Sequence, residues 1–400
     1  MPNGQSLKGI FNISRTGKVS MLDGILRGSS RAKTGDLLIG CKHLLAFIFP
    51  LTTFSFLLTG VFVDGQPHSI VADLAWTIPF WLVLYIDWKN PTEKVSGGNC
   101  SQQFYDGILY ALVALQIANV VGMLAYVNLL RWNSQNEIIV SLASLVALRF
   151  LVGTSSGTSG IVVAHELIHR PARRWQILGR LLLCSVCYEH FTITHKRGHH
   201  LTIGMPHDIA TAKLGESFKD YWRRIRGGYL RYAWQSEQDR LAMLPNRATT
   251  ILHNEVLRGL LAEASVLVLV VYVFGWLAAL LFLYQALAAV RILEAVNYFQ
   301  HWGLENGQFG NTLGWVSRSW MSRYALIGLS HHIGHHLDEN KRFYEIPFSS
   351  QGPVLPYGYF VMNLWVKLNN ASYQKMAAIE LDRFRATQSQ PFRAETIKNL

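Results

Sequence analysis

Residues 257–292 read LRGLLAEASVLVLVVYVFGWLAALLFLYQALAAVRI, with charge only at Arg258, Glu263 and Arg291. A bilayer core of about 30 Å takes roughly 20 apolar residues as a helix, so this block is too long for one crossing. Gly275-Trp276 near its middle predicts a tight hairpin between a fifth and a sixth span, the sixth continuing towards Asn297. Working outward, four more apolar stretches qualify. Residues 38–63 form the first, and 70–86 a shorter second, joined by the turn-like Asp64-Gly65-Gln66-Pro67. Residues 107–130 and 138–164 form the third and fourth. The stretch 177–188 is too short to cross and reads as an interfacial or buried helix. The expected fold is an all-α integral membrane protein with about six transmembrane helices.

Composition agrees. Of 400 residues half are hydrophobic and only 16% are charged, whereas soluble domains run near 25% charged. The apolar fraction excludes a disordered chain, and four scattered cysteines exclude a disulfide scaffold. A net charge of +12 admits nucleic acid, but so apolar a chain argues for no nucleic-acid partner. Residues 1–36 hold six Lys/Arg, 164–255 fourteen and 302–400 ten, while the connections at 63–69, 131–137 and 275 hold only Arg131. Basic loops stay in the cytoplasm, so both termini and both large polar regions are expected there, on the inner membrane if the source is bacterial. No cleavable signal peptide is expected, because the first 36 residues are polar and basic. The chain then divides into a basic tail (1–36), spans one to four (37–164), a cytoplasmic region (165–256), spans five and six (257–301) and a cytoplasmic C-terminal region (302–400).

Thirteen of the fifteen histidines lie between His165 and His336, and nine of these fall in four clusters at the predicted cytoplasmic ends of spans. The first is His165-Glu-Leu-Ile-His169. On a helix positions i and i+4 share a face, so these two can chelate one metal. The second is His195-Lys-Arg-Gly-His199-His200, the third His301, and the fourth His332-Ile-Gly-His335-His336. In the second and fourth, a pair at i and i+4 adjoins another histidine that a helix or turn can aim at a second metal. One such pair is common by chance; four clusters at one membrane face are not. The first cluster matches H-E-x-x-H, the zinc-protease helix, which leaves a membrane zinc metalloprotease as a competitor. That enzyme needs one further ligand and leaves the other histidines unexplained. A metal-passage protein would string histidines along a pore rather than gather them at one face. Nine imidazoles suffice for two metals with four or five ligands each, and neutral nitrogen donors suit iron, copper, nickel or zinc.

At HELIHR (165–170), THKRGHH (194–200), NYFQHWGL (297–304) and LSHHIGHH (329–336) the chain resembles the membrane-bound alkane 1-monooxygenase family, within the fatty-acid desaturase/hydroxylase superfamily. Leu214–Phe218 and Leu355–Tyr359 add to the likeness. The resemblance implies a di-iron centre of two non-haem iron ions, bound by His165, His169, His195, His199, His200, His301, His332, His335 and His336. His190 and His331 fall outside the ligand positions. Glu166, Glu294 and Asn297 are candidates to orient the imidazoles, as outer carboxylates and amides do. Thr194, Gln300, Trp302, His331 and Gly334 depart from the family pattern, so chemistry transfers further than substrate.

The implied reaction is O2-dependent terminal hydroxylation of an alkane or alkyl chain, with fatty-acyl desaturation or alkylaromatic methyl hydroxylation as alternatives on the same scaffold. A lipophilic substrate would enter from the bilayer. Phe54, Phe56, Trp76, Phe80 and Trp81 are candidates to line its route, although packing is the commoner role of such residues. No dinucleotide fingerprint is present, and the single C-x-x-C, Cys184-Ser-Val-Cys187, lacks a second pair. Electrons must therefore come from outside, and the resemblance implies a separate rubredoxin or ferredoxin with its reductase. Arg173, Arg174, Arg223, Arg224 and Arg226 can face an acidic carrier or, equally, anionic membrane lipid.

Overall fold

A computed structural model describes residues 39–89, 92, 100–243, 253–304 and 314–388; the expected basic tail at 1–36 lies outside the described residues. Among the described residues the structure is helical, with two isolated bridges and no strand. Five helices are long and apolar enough to cross a bilayer: α1 (Ile39–Asp64), α2 (Ile70–Lys89), α3 (Gln102–Val127), α4 (Gln135–His169) and, later in the chain, a 47-residue helix at Glu255–His301. Between the fourth and fifth lie α5 (Arg173–Cys184) and α6 (Phe218–Ala242), which makes the long helix α7. Val71, Val268, Tyr272 and Trp276 are strongly exposed on the spans. Such apolar outer faces need lipid as their solvent.

Serine and asparagine caps set where the helices begin. Ser101 accepts from Phe104 N, Ser134 from Glu137 N, Ser217 from Asp220 N, and Asn254 from Leu257 N. Each satisfies an otherwise orphaned donor and contributes about 1 kcal/mol. The third span therefore starts at Gln102 rather than 107, because the cap at Ser101 carries the helix through polar Gln102, Gln103 and Asp106. The fourth runs past 164 to His169.

The hairpin expected at Gly275 is present. Gly275 has φ 84° and ψ 175°, a conformation that side chains disfavour, inside an otherwise helical run. Tyr188 donates to Glu294 at 2.9 Å, while the amide of adjacent Glu189 donates to Glu263 at 2.7 Å. On a straight helix residues 263 and 294 would stand about 46 Å apart, so α7 must double back. Its arms, 255–274 and 276–301, turn five long helices into six crossings.

The second arm runs beside α4 and parallel to it. A Cβ on Gly153 would lie 2.9 Å from Ala288, and one on Gly157 would lie 3.0 Å from Ile292. Both partners advance by four residues together, so both helices deliver their C-terminal histidines to the same end. The chain then forms α8 (Trp320–Ala325), α9 (His332–Leu337), α10 (Tyr359–Leu368) and α11 (Asn370–Gln388). Asp87, at the end of α2, fastens this region. Its buried carboxylate accepts from Ser319 Oγ (2.7 Å), Ser322 Oγ (2.8 Å), Phe360 N (2.9 Å) and Val361 N (3.2 Å).

Candidate metal centre

The nine clustered histidines meet in two groups, within each of which one ligand atom per residue lies within 4.8 Å of the others. The first holds His165, His169, His195, His200 and His335; the second holds His199, His301, His332 and His336. His165 and His169 occupy the last turn of α4, and His301 ends α7. In α9, His332 and His336 serve the second group as an i, i+4 pair, while His335 points to the first.

The 195–200 cluster sorts differently from its spacing. Its pair within one group is His195 with His200, at i and i+5, and His199 crosses to the other. The cause is local winding: Thr194–His199 is a π-helical turn, in which residues five apart rather than four overlie one another. His195 Nε2 and His200 Nε2 are 2.9 Å apart as a result.

The donors fit a metal. The Nε2 atoms of His165 and His169 are buried without a hydrogen-bond partner, a cost that a bound ion removes. His335 Nε2 lies 3.2 Å from His200 Nε2, and His332 Nε2 lies 2.8 Å from His301 Nε2 and 2.9 Å from His336 Nε2. Two imidazole nitrogens bound at right angles about 2.1 Å from one ion stand about 3.0 Å apart. Burial first, and neighbouring imidazoles second, hold His195, His332, His335 and His336 well below the ordinary imidazole range and push His200 down to about 2. These rings are neutral at pH 7, the form that binds metal.

Two carboxylates stand behind the imidazoles. His199 Nδ1 donates to Asp208 at 2.9 Å, which leaves Nε2 as the free lone pair. Asp208 also accepts from Thr211 Oγ1 and the Ala210 amide. Burial pushes the Asp208 carboxyl up, but His199 and these donors outweigh it and hold it low. Glu339 lies 3.2 Å from His200 Nδ1 and 3.5 Å from His169 Nδ1. Sequence reasoning missed both residues. A carboxylate within nine residues of His199, or three after His336, was the available signal. Asp208→Ala is expected to weaken metal binding at the second group by about 10–100-fold, measured by chelator competition, with the first group less affected.

The hydrogen bonds of the expected orienting residues run to other groups. Glu166 accepts from Arg170 at 2.9 Å, and Arg170 continues to Asp106 at 2.9 Å. Glu166 also lines a small pocket with His165 and His335. Glu294 accepts from Tyr188 (2.9 Å), Tyr221 (3.1 Å) and Asn297 (3.2 Å), in a buried knot between α6 and α7. His190 lies against Tyr188, and His331 bonds the Ile346 carbonyl; neither joins a group. Burial pushes the Cys184 and Cys187 thiols up to about 12, so this pair is not poised as thiolates. Arg224, expected on a carrier-facing surface, is instead tied to Glu216 and to the Ile209 and Thr211 carbonyls.

An ion-pair clamp steadies the π-helical turn. Glu237, fully buried on α6, accepts from Arg197 (2.7 Å), Arg240 (2.6 Å) and the Glu255 amide (2.7 Å). Although burial opposes ionisation, these donors draw its carboxyl down to about 2. A depressed carboxyl stabilises the fold fully above its unfolded value, near 4.5, and loses that contribution as pH falls towards 2. Glu237→Gln is expected to lower the thermal midpoint by a constant amount from pH 8 to about 5, the gap to wild type narrowing only below about 4.5.

A largely apolar cavity of about 380 Å³ leads to the first group. Phe80, Phe150, Val162, Ile292, Leu329 and Phe360 are among its walls. Val162 and Leu329 also wall the small pocket beside His165 and His335, so the cavity ends one side chain from the imidazoles. Of the five aromatics considered, Phe80 lines it. Phe56 instead stacks on Tyr126 and meets Trp76 edge-on, and Trp81 is exposed.

A profile for the fatty acid desaturase family matches residues 140–363. Alkane 1-monooxygenase 2 of Pseudomonas aeruginosa is 32% identical over 299 residues, covering 72% of this chain and 78% of that protein. Alkane 1-monooxygenase 2 of Alcanivorax borkumensis is 26% identical over 360 residues, covering 84% and 91%. The hydroxylase component of xylene/toluene monooxygenase from Pseudomonas putida is 27% identical over 206 residues, covering 50% and 55%.

Proposed function

Because the chain belongs to the fatty acid desaturase family, and to the alkane 1-monooxygenases within it, we propose that it is a membrane di-iron hydroxylase acting on the terminal carbon of an alkane or alkyl chain. The observation that carries this reading is the approach of a largely apolar cavity to within one side chain of the first of two buried histidine groups. Two iron ions would be held by the five and the four imidazoles. When bound, they supply reductive activation of O2 to the point where it can attack an unactivated C–H bond.

The chain's own residues supply the remainder. The cavity walls align an extended alkyl chain and exclude water, which confines oxidation to the carbon presented at Val162 and Leu329. Glu166, with Arg170 and half-buried Asp106 behind it, gives protons a hydrogen-bonded path to the pocket beside His165 and His335. Asp208 holds His199 in the tautomer that presents a lone pair at Nε2. Overall R–CH3, O2, two electrons and two protons give R–CH2OH and water. The two external electrons come from a rubredoxin- or ferredoxin-like carrier and its reductase. In this reading the basic tail and the regions 165–256 and 302–400 face the cytoplasm, where such a carrier resides.

The test is oxidation by the purified protein in vesicles with a reductase and carrier, fed alkanes, alkylaromatics and fatty acids, with products identified by mass and metal by elemental analysis. Two irons per chain and a reductant-dependent primary alcohol are expected. An unsaturated product without alcohol would make it a desaturase. One zinc per chain with no need for reductant would sink the oxidative reading.

A further inference from the structure

The cavity that leads to the first histidine group is not apolar throughout. Arg149, Arg291 and Lys367 line it together with the hydrophobic side chains, and no aspartate or glutamate does. Arg149 lies within span α4 and Arg291 within α7. An ionisable residue inside a span is costly and marks a function by default. Neither arginine is in an ion pair among the described residues. The Arg149 guanidinium sits 5.0 Å over the Tyr284 ring, with its Nε buried and lacking a hydrogen-bond partner. Arg291 sits 5.5 Å over Trp222. Burial, and then Arg291 and Arg149, press the Lys367 ammonium down to about 8. Three cations thus repel one another beside a cavity, with no ion-pair partner among the described residues.

We propose that this cavity takes an alkyl chain bearing an anionic head group, the head held by Arg149, Arg291 and Lys367 and the far methyl carried to His165 and His335. The inference rests on the hydroxylase reading and narrows its substrate, from a neutral hydrocarbon to a fatty-acid-like amphiphile oxidised at the end remote from its head. A carboxylate matches the guanidinium fork and relieves the cations' mutual repulsion. The lengths agree as well. Arg149 stands sixteen residues before His165, about 24 Å along its helix, and Arg291, whose neighbour Ile292 lies against Gly157, stands about 12–14 Å before it. A medium-to-long acyl chain spans that interval. A short one, held by its head, would leave its methyl short of the histidines.

The test uses full-length protein in phosphatidylcholine vesicles with dodecane, dodecanoate and methyl dodecanoate, the ester having the same chain without the charge. Dodecanoate should be hydroxylated at its methyl end with a KM at least tenfold below that of the ester. In Arg149→Gln and in Lys367→Gln the ratio of dodecanoate to dodecane turnover should fall at least tenfold, and Arg149→Lys should restore part of it. A fluorescent long-chain carboxylate, titrated without reductant, should bind the Gln variants at least tenfold more weakly. Equal use of acid and ester, or variants that leave both ratio and binding unchanged, would overturn the proposal. So would a wild type whose alkane turnover needs phosphatidylglycerol, with the Gln variants losing that need; the cations would then hold a lipid phosphate. If the fluorescent acid binds as expected but no substrate is oxidised, the anion site stands and the hydroxylase reading fails. If the acid does not bind while dodecane is oxidised, the reverse holds.

Discussion

Alanine at His332 is expected to leave about one metal ion per chain where wild type is expected to hold two, whereas alanine at His165 should keep nearer two. The two groups share no ligand. Removing His332 takes the second group from four imidazoles to three, while removing His165 leaves four of five in the first. Both variants should lose product formation by at least about a hundredfold, the upper range for disturbing even an outer partner of a metal site. Elemental analysis of protein purified in detergent reads the stoichiometry, and mass detection of product reads the activity. Simultaneous loss of both ions from His332→Ala would mean that the nine histidines form one site instead of two.

The largest stability effect is expected at Asp87, far along the sequence from the nine clustered histidines. Its carboxylate is the shared acceptor for two hydroxyls and two amides, contributed by Ser319, Ser322, Phe360 and Val361. Asp87→Ala leaves those donors facing a buried gap and should cost about 3–5 kcal/mol. Domains are stable by only about 5–15 kcal/mol, so yield and detergent-solubilised thermal midpoint should both fall sharply. Asp87→Asn keeps one acceptor oxygen and should fall between alanine and wild type. Because α8 and α10 hang from this carboxylate, the alanine variant should also lose metal at the second group. An alanine variant that melts with wild type would show that the two serines re-pair locally.

Much of this structure was legible because membrane helices and metal ligands write themselves into sequence as length and spacing. The 257–292 block had to fold back, and the only glycine in its middle is where it does. The nine ligand candidates were countable for the same reason: imidazoles in clusters at span ends have few other uses. Local winding was less readable. Nothing in THKRGHH announces a π-helical turn, yet that turn decides that His200 rather than His199 joins His195. Asp208 and Glu339 were missed because a single carboxylate in a polar loop carries no spacing signature until the loop closes on a ring. The cavity was hardest. Its walls come from α2, α4, α7, α10 and the segment before α9, and aromatic content along the first two spans singled out Phe80 only together with four residues that do not line it.

The division of α9 between the two histidine groups also bears on how the chain is made. When the ribosome has finished residue 301, the first group has four of its imidazoles, but the second has only His199 and His301. It gains His332 and His336 only when the last part of the chain has been synthesised and docked through Asp87, and the same docking brings His335 to the first. The order of synthesis therefore withholds the complete pair of sites until Phe360 and Val361, which dock on Asp87, have been added. A truncated or half-folded copy cannot assemble the centre, and so cannot turn O2 loose on the membrane around it.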